Sequence, residues 1–157
     1  MTDTSPGKKI LILGIGNYLM GDEGIGIHAV RYMQDHPFPP NITLLDGGTG
    51  GFHLLSLLQD HDPVIIIDAT IENDPPGTIR VRKPRYASDF PRTLGAHDIG
   101  LRDLIESAAL LESLPAIWLV TIAILPGDNL DTELSPPLKK SLPLIEKEVR
   151  KIISRLL

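Results

Sequence analysis

The acidic residues that follow apolar runs are the side chains of this sequence best suited to chemistry. They are Asp22 and Glu23 after residues 10–13, Asp46 after residues 42–45, and Asp68 after residues 64–67. Carboxylates gathered in one place repel each other unless a cation, a proton or a salt bridge stabilises them. Divalent metal ions accept carboxylate and imidazole ligands, so these acids are candidates for an open metal site.

His97 is the histidine best placed to complete such a site. It lies in a loop-like segment, residues 95–100, directly before a predicted helix. Together with Glu23 and Asp68 it would supply two carboxylates and one imidazole. A purely local role for His97, such as capping that helix, is the alternative. The other histidines show no metal-ligand spacing, and we expect the first to be packed and the rest to lie on the surface: His28, His36, His53 and His61.

Each acid also has a structural interpretation that needs no metal. Asp22 could cap the first helix, and Glu23 could be favoured by the helix dipole in its first turn. Asp68 could accept backbone hydrogen bonds at the end of its strand. Asp46 lies in a glycine-rich segment and could serve only to form the turn.

Strands and helices alternate along the sequence, and this alternation predicts the fold. Apolar or alternating runs predict five strands, at residues 10–13, 42–45, 64–67, 78–82 and 116–123, of which 78–82 reads as a half-exposed edge strand. Helical spacing and capping signals predict helices at residues 25–33, 52–58, 99–111 and from Pro136 onwards, the last with an apolar stripe that we expect in the core.

This order predicts an α/β protein with three layers, α/β/α. A mostly parallel twisted sheet of about five strands would carry helices on both faces, in a single domain spanning residues 1–157. Functional groups in such sheets collect beyond the carboxyl ends of the strands. We therefore expect the acids to meet at one rim.

Composition excludes several classes of function. The net charge is −5 and basic residues are not clustered, which argues against a nucleic-acid partner. The absence of cysteine excludes disulfides, thiolate metal sites and a cysteine nucleophile. Neither a signal peptide nor a membrane-spanning segment is recognisable, so we expect a cytoplasmic protein without a membrane partner, compatible with a monomer. Motifs of zinc proteases, serine hydrolases and Walker loops are missing.

Four segments in the same order resemble the nickel–iron hydrogenase maturation endopeptidases. Residues 14–26 are similar to the N-terminal signature of that family, G-x-G-N-x-L-x-x-D-[DE]-x-x-G. Residues 45–49 resemble its D-G-G-T turn, residues 66–69 the end of its third strand, and residues 97–101 its histidine loop. The ordered set is specific, and the chain length fits a whole family member.

The resemblance implies a processing activity. Such enzymes remove a short C-terminal extension from the large-subunit precursor of a nickel–iron hydrogenase after nickel has been inserted. The family's metal ligands correspond to Glu23, Asp68 and His97, and the metal is nickel carried by the substrate, so no resident cofactor is expected. Glu23 stands where many members have Asp, and both residues offer oxygen ligands. Our hypothesis adds Asp46 as the carboxylate that positions water, because it should share the rim.

Two other functions are compatible with the sequence. A maturation factor that binds nickel or the precursor without cleaving it would use the same three ligands. A nucleotide-binding Rossmann-like domain is the weaker alternative, because Leu19 replaces the third glycine of the fingerprint. The two carboxylates beside that loop would also repel a pyrophosphate.

Overall fold

A five-stranded sheet forms the centre of the molecule. The computed structural model describes residues 9–48, 55–84, 110, 115–126 and 131–156. Within these residues the strands are β1 (Ile10–Gly14), β2 (Ile42–Asp46), β3 (Val64–Thr70), β4 (Ile79–Arg82) and β5 (Ile117–Ala123). Their order across the sheet is β2-β1-β3-β5-β4, and only β4 runs antiparallel to its neighbour. The predicted mostly parallel sheet is therefore confirmed, and β4 is the expected edge strand.

Three α-helices lie within the described residues: α1 (Ile25–Gln34), α2 (Leu55–Asp60) and α3 (Pro136–Leu156). A short 3-10 helix, Gly21–Gly24, leads directly into α1. The last helix begins at Pro136 as predicted, because proline fits the first helical position. The predicted helix at residues 99–111 lies outside the described residues except for Leu110. None of the described helices has the length and hydrophobicity needed to span a bilayer.

Both faces of the sheet are covered by apolar side chains, as the predicted three-layer fold requires. On one face, β-strand residues such as Ile12, Ile67 and Val120 join buried residues of α1 and α3 in one cluster. On the opposite face, Leu11, Leu13, Ile66 and Leu119 pack with residues of α2. Complete burial of each such side chain contributes roughly 1.5–3 kcal/mol. β3 is buried along its whole length because it lies at the centre of the sheet.

Most of the predicted apolar stripe of α3 lies in the core, but Leu142 is only partly buried and Leu156, at the end of the helix, is 39% exposed. Leu138, Ile145 and Val149 are fully buried, and Ile152 is nearly so. Leu144, which lies off that stripe, is 54% exposed.

The strand register brings the predicted acids to one rim. Gly14, the last residue of β1, pairs with Asp46 of β2 on one side and with Ile67 of β3 on the other. Asp68 therefore lies one residue beyond that level, where it pairs with Thr121 of β5. Asp46 and Asp68 both stand at the carboxyl ends of parallel strands, but with β1 between them.

Candidate functional site

Glycines of the first loop allow the start of α1 to touch the sheet. A Cβ atom on Gly26 would lie 2.3 Å from the carbonyl oxygens of both Ile15 and Ile67. Gly16 has a φ of +144°, and a Cβ there would lie 2.3 Å from the carbonyl oxygen of Glu23. Side chains at these positions would force the helix away from the strands. The glycines thus hold the 3-10 helix, with Glu23, against the rim.

Glu23 and Asp68 are carried by elements that contact each other. The 3-10 helix that contains Glu23 packs against β3, which contains Asp68. Asp68 is fully buried, and its Oδ1 accepts a hydrogen bond of 2.8 Å from the backbone amide of Ala69. Glu23 is partly buried, and its Oε2 is shielded from solvent. A carboxylate in such surroundings is costly to keep charged unless a cation or a donor compensates it.

Asp22 does not cap the first helix, which corrects the structural interpretation suggested by the sequence. The N-cap of α1 is Gly24, and no side chain caps the helix there. Asp22 instead accepts hydrogen bonds from the backbone amide of Ser135 at 2.8 Å and from its hydroxyl at 2.7 Å. These bonds tie the 3-10 helix to the start of α3. A residue 113 positions away supplies the partner, so local sequence could not reveal it.

A short parallel bridge strengthens this connection. The amide of Gly21 donates to the carbonyl of Asp131 at 2.6 Å, and the amide of Asp131 donates to the carbonyl of Leu19 at 3.1 Å. Met20 and Asp131 are the paired residues of this bridge. The loop that holds Glu23 is therefore fixed from two sides, by the strand ends and by the segment before α3.

Asp46 shares the rim but projects from the other face of the sheet. Ile42 and Leu44, at alternate positions of β2, pack in the cluster of α1, and Asp46 follows the same alternation. Its Oδ2 accepts a hydrogen bond of 3.2 Å from Arg31 of α1. Its Oδ1 accepts one of 3.0 Å from the amide of Gly48, which is the turn geometry foreseen as its alternative role. Asp68, by contrast, alternates with the residues that face α2.

Aromatic and cationic side chains stack beside this loop. The Tyr18 ring lies 4.9 Å from the His28 ring and 4.3 Å from the Arg31 guanidinium carbon. His28 is packed as predicted. Burial, and secondly the charge of Arg31, lower the pKa of His28, against smaller opposing effects of the Thr132 backbone and Asp22.

Of the remaining histidines, the structure describes His36 and His61, and each contacts another protein group. His36 contacts Glu146, and His61 Nδ1 donates a hydrogen bond of 2.8 Å to the Leu57 carbonyl; both residues are partly exposed. His53 and His97 lie outside the described residues. Among the residues that are described, no group of three potential ligands could hold a metal ion. Glu23 and Asp68 alone provide the oxygen part of the predicted ligand set.

A cleft of about 480 Å³ opens beside Glu23. Its walls are the segment around the 3-10 helix, the residues after β5 and the segment before α3. Four carboxylates line it and no Lys, Arg or His does so among the described residues: Asp22, Glu23, Asp131 and Glu133. Leu125, one of the lining residues, is 65% exposed, and Leu19, one residue before the lining residue Met20, is 61% exposed.

These features define a small α/β protein with buried and half-buried carboxylates at the carboxyl rim of its sheet and a cleft beside them. Residues 27–152 match the family model of the hydrogenase maturation proteases, HycI. The chain belongs to the hydrogenase maturation protease family, and its class of activity is that of a protease.

Individual relatives agree with this assignment. The hydrogenase expression/formation protein HupD of Bradyrhizobium diazoefficiens is 35% identical over 150 residues, covering 90% of this chain and 76% of that protein. The hydrogenase 2 maturation protease of Escherichia coli is 34% identical over 110 residues, covering 68% of this chain and 67% of that protein. The solved structure of the hydrogenase maturating endopeptidase HybD from E. coli superposes with a TM-score of 0.84 at 27% identity, covering 94% and 93% of the two chains.

Proposed function

We propose that this protein is an endopeptidase that removes the C-terminal extension of a nickel–iron hydrogenase large-subunit precursor after nickel insertion. The observation that supports this most directly is the packing of the Glu23 helix against β3, the strand of Asp68. This packing puts in contact the two elements that carry Glu23 and Asp68, two of the three residues that the family resemblance assigns to metal recognition, in a chain that belongs to that family of proteases.

We propose that the nickel held by the precursor is the feature that the enzyme recognises. Glu23 and Asp68 offer oxygen ligands at the rim, and His97 would add an imidazole nitrogen. Such a mixed set suits borderline divalent ions. In this proposal nickel arrives with the substrate and leaves with the product, and the protein needs no resident cofactor. Docking through the metal would place the scissile bond in a fixed orientation, which is a large contribution to rate in itself.

The cleft beside Glu23 offers a place for the polypeptide on one side of that bond. Its lining includes the exposed Leu125, and its described lining residues carry only negative charge. We propose that an extended segment of the precursor lies there. A family member that only bound the precursor would need the same surface, so cleavage itself has to be measured.

Asp46 is our candidate for the carboxylate that positions water, although its contacts to Arg31 and Gly48 also suit a structural role. Asp46→Asn tests it, because the amide keeps the size of the side chain but is a much poorer base. Loss of cleavage with retained binding of precursor supports the catalytic role. Cleavage at the normal rate assigns Asp46 to the turn and to the Arg31 ion pair.

The experiment that tests the function compares nickel-loaded and nickel-free precursor of a hydrogenase from the same source. Each is mixed with the purified protein, followed on a gel and analysed by mass spectrometry. Loss of a C-terminal peptide only from the nickel-loaded precursor supports the proposal. Nickel-dependent binding without cleavage would replace it by the non-catalytic maturation factor.

The expected monomeric state and cytoplasmic location remain predictions. Light scattering coupled to size-exclusion chromatography measures the first, and fractionation of cells measures the second.

A further inference from the structure

A buried threonine hydroxyl lies next to Asp68 on the same face of the sheet. Thr121 of β5 is the register partner of Asp68 of β3, and both residues are fully buried. Neighbouring strands lie about 4.8 Å apart, and paired residues of adjacent strands project from the same face. The side chain of Thr121 is therefore the immediate neighbour of the Asp68 carboxylate on the β5 side.

This hydroxyl differs from the other buried hydroxyls of the described chain. Thr70 donates to Glu72 at 2.8 Å, and Ser141 donates to the Leu138 carbonyl at 2.6 Å. Thr121 Oγ1 has no hydrogen-bond partner within the described residues. Buried polar groups are normally paired, because losing water without a replacement bond opposes folding. Valine has nearly the same shape as threonine and no hydroxyl to remove from water. Folding stability alone therefore does not explain why this position holds a threonine.

The charged residue that the structure describes opposite Thr121 in β4 is engaged elsewhere. Arg80 is the register partner of Thr121 in β4. Its guanidinium is held by Asp74 through two hydrogen bonds, of 2.9 and 3.1 Å. Asp68 is therefore the acidic residue next to Thr121 on that row of the sheet.

We propose that Thr121 is a positioning residue for Asp68. When nickel of the precursor approaches, the Thr121 hydroxyl donates to the Asp68 carboxylate and, with the Ala69 amide that already donates to Oδ1, fixes the plane in which the carboxylate meets the metal. Carboxylates that bind metals are commonly oriented in this way by hydrogen bonds from outside the ligand set. The inference rests on the proposed function, because it assigns Asp68 to metal recognition.

The test compares Thr121→Val with Thr121→Ser. The valine variant should unfold at the same temperature as the wild type or higher, because it loses a buried hydroxyl without a partner. Its kcat for processing nickel-loaded precursor and its affinity for Ni²⁺ alone, measured by calorimetry, should each fall at least about tenfold. The serine variant should recover most of both losses, because it keeps the hydroxyl. Ser141→Ala is the matched control, which should unfold at a lower temperature but keep wild-type kcat and Ni²⁺ affinity.

The two readouts separate this inference from the proposed function. Weaker Ni²⁺ binding by the valine variant, restored by serine, supports the role of Thr121 even if the wild type cleaves no precursor, an outcome that would count against the proposed function. Equal Ni²⁺ affinity of the wild type and the valine variant, or no measurable affinity in either, overturns the inference. Equal losses in the valine and serine variants overturn it as well.

Discussion

Four carboxylates of the rim have the same chemistry and different surroundings. Asp22 is held by Ser135, and Asp46 by Arg31 and Gly48, so both have contacts that explain them structurally. Asp68 is buried in the sheet, and Glu23 lies at the cleft. Environment, more than residue type, therefore distinguishes the anchoring acids from those proposed to meet the metal.

His28 should make stability depend on pH. Burial and Arg31 place its folded-state pKa below the ordinary value of 6.5. As the pH falls through about 6.5, the unfolded chain gains a proton that the folded protein does not, so stability decreases. His28→Phe keeps a ring against Tyr18 but cannot titrate. When the pH is lowered from about 7.5 to about 5.5, an interval that brackets the ordinary histidine pKa, the urea midpoint of the wild type should fall more than that of the variant. Parallel decreases in the two midpoints would contradict the prediction.

At the scale of elements, local patterns were sufficient to predict the strands. The predicted strands at residues 10–13 and 42–45 each end one residue before the observed ones, because alternation and β-branching are local properties. The predicted strand at residues 64–67 is longer in the structure, extending to Thr70. Its continuation was missed because Asp68 and Thr70 are polar but buried, which only a central position in the sheet allows.

The close approach of α1 to the strand ends should depend on Gly26. Gly26→Ala places a Cβ atom 2.3 Å from two backbone oxygens, neither of which can rotate away. We expect a loss of roughly 3 kcal/mol or more in the free energy of unfolding, since overpacking against backbone is costly. Gly48→Ala is the control: its φ is +59° but nothing lies within 4 Å of the new Cβ, so only about 1 kcal/mol of backbone strain is expected. Chemical unfolding measures both, and equal losses would contradict the packing argument.

The link between the Glu23 helix and α3 should depend on Ser135. Ser135→Ala removes the hydroxyl bond to Asp22 and leaves the amide bond. Because the acceptor is charged and partly buried, the loss should be about 1.5 kcal/mol. Processing of nickel-loaded precursor should also slow, since Glu23 follows Asp22 in the same helical turn.

Ser154→Ala is the control variant. It removes an exposed hydrogen bond to the Lys151 carbonyl, so it should change the free energy of unfolding by no more than about 0.5 kcal/mol and leave processing unchanged. Unchanged processing in both variants would show that the link does not position Glu23.

For the whole molecule, the sequence was sufficient to predict the layers and the rim, but not which face each acid would occupy. The alternation of strands and helices predicts the mostly parallel sheet, and the sheet predicts that Asp46 and Asp68 end at the same edge. Their opposite faces follow from the register of β2 and β3 against β1, which no local pattern specifies. The Asp22–Ser135 bonds and the cleft likewise arise from segments distant in sequence.

Two exposed leucines at this rim should contribute to docking of the precursor. Leu125, which is 65% exposed, lines the cleft beside Glu23, and Leu19, which is 61% exposed, directly precedes the lining residue Met20. Burying a leucine on binding contributes of the order of 1.5 kcal/mol or more, although part of this is offset by the cost of association. Leu19→Ser with Leu125→Ser should therefore raise KM for nickel-loaded precursor by about tenfold or more, with little change in kcat or thermal midpoint.

Leu144→Ser is the matched control, because Leu144 is 54% exposed on α3 and neither it nor its two chain neighbours line the cleft. A leucine lost from a surface that the precursor does not touch removes no binding energy, so KM should stay at the wild-type value. If the double variant and Leu144→Ser raise KM alike, general exposure of apolar surface would explain the effect. If neither variant raises KM, the precursor approaches the rim from another side. A selective effect of the rim leucines would place the polypeptide across the same cleft that Glu23 lines, with the metal ligands and the bound chain on one continuous surface.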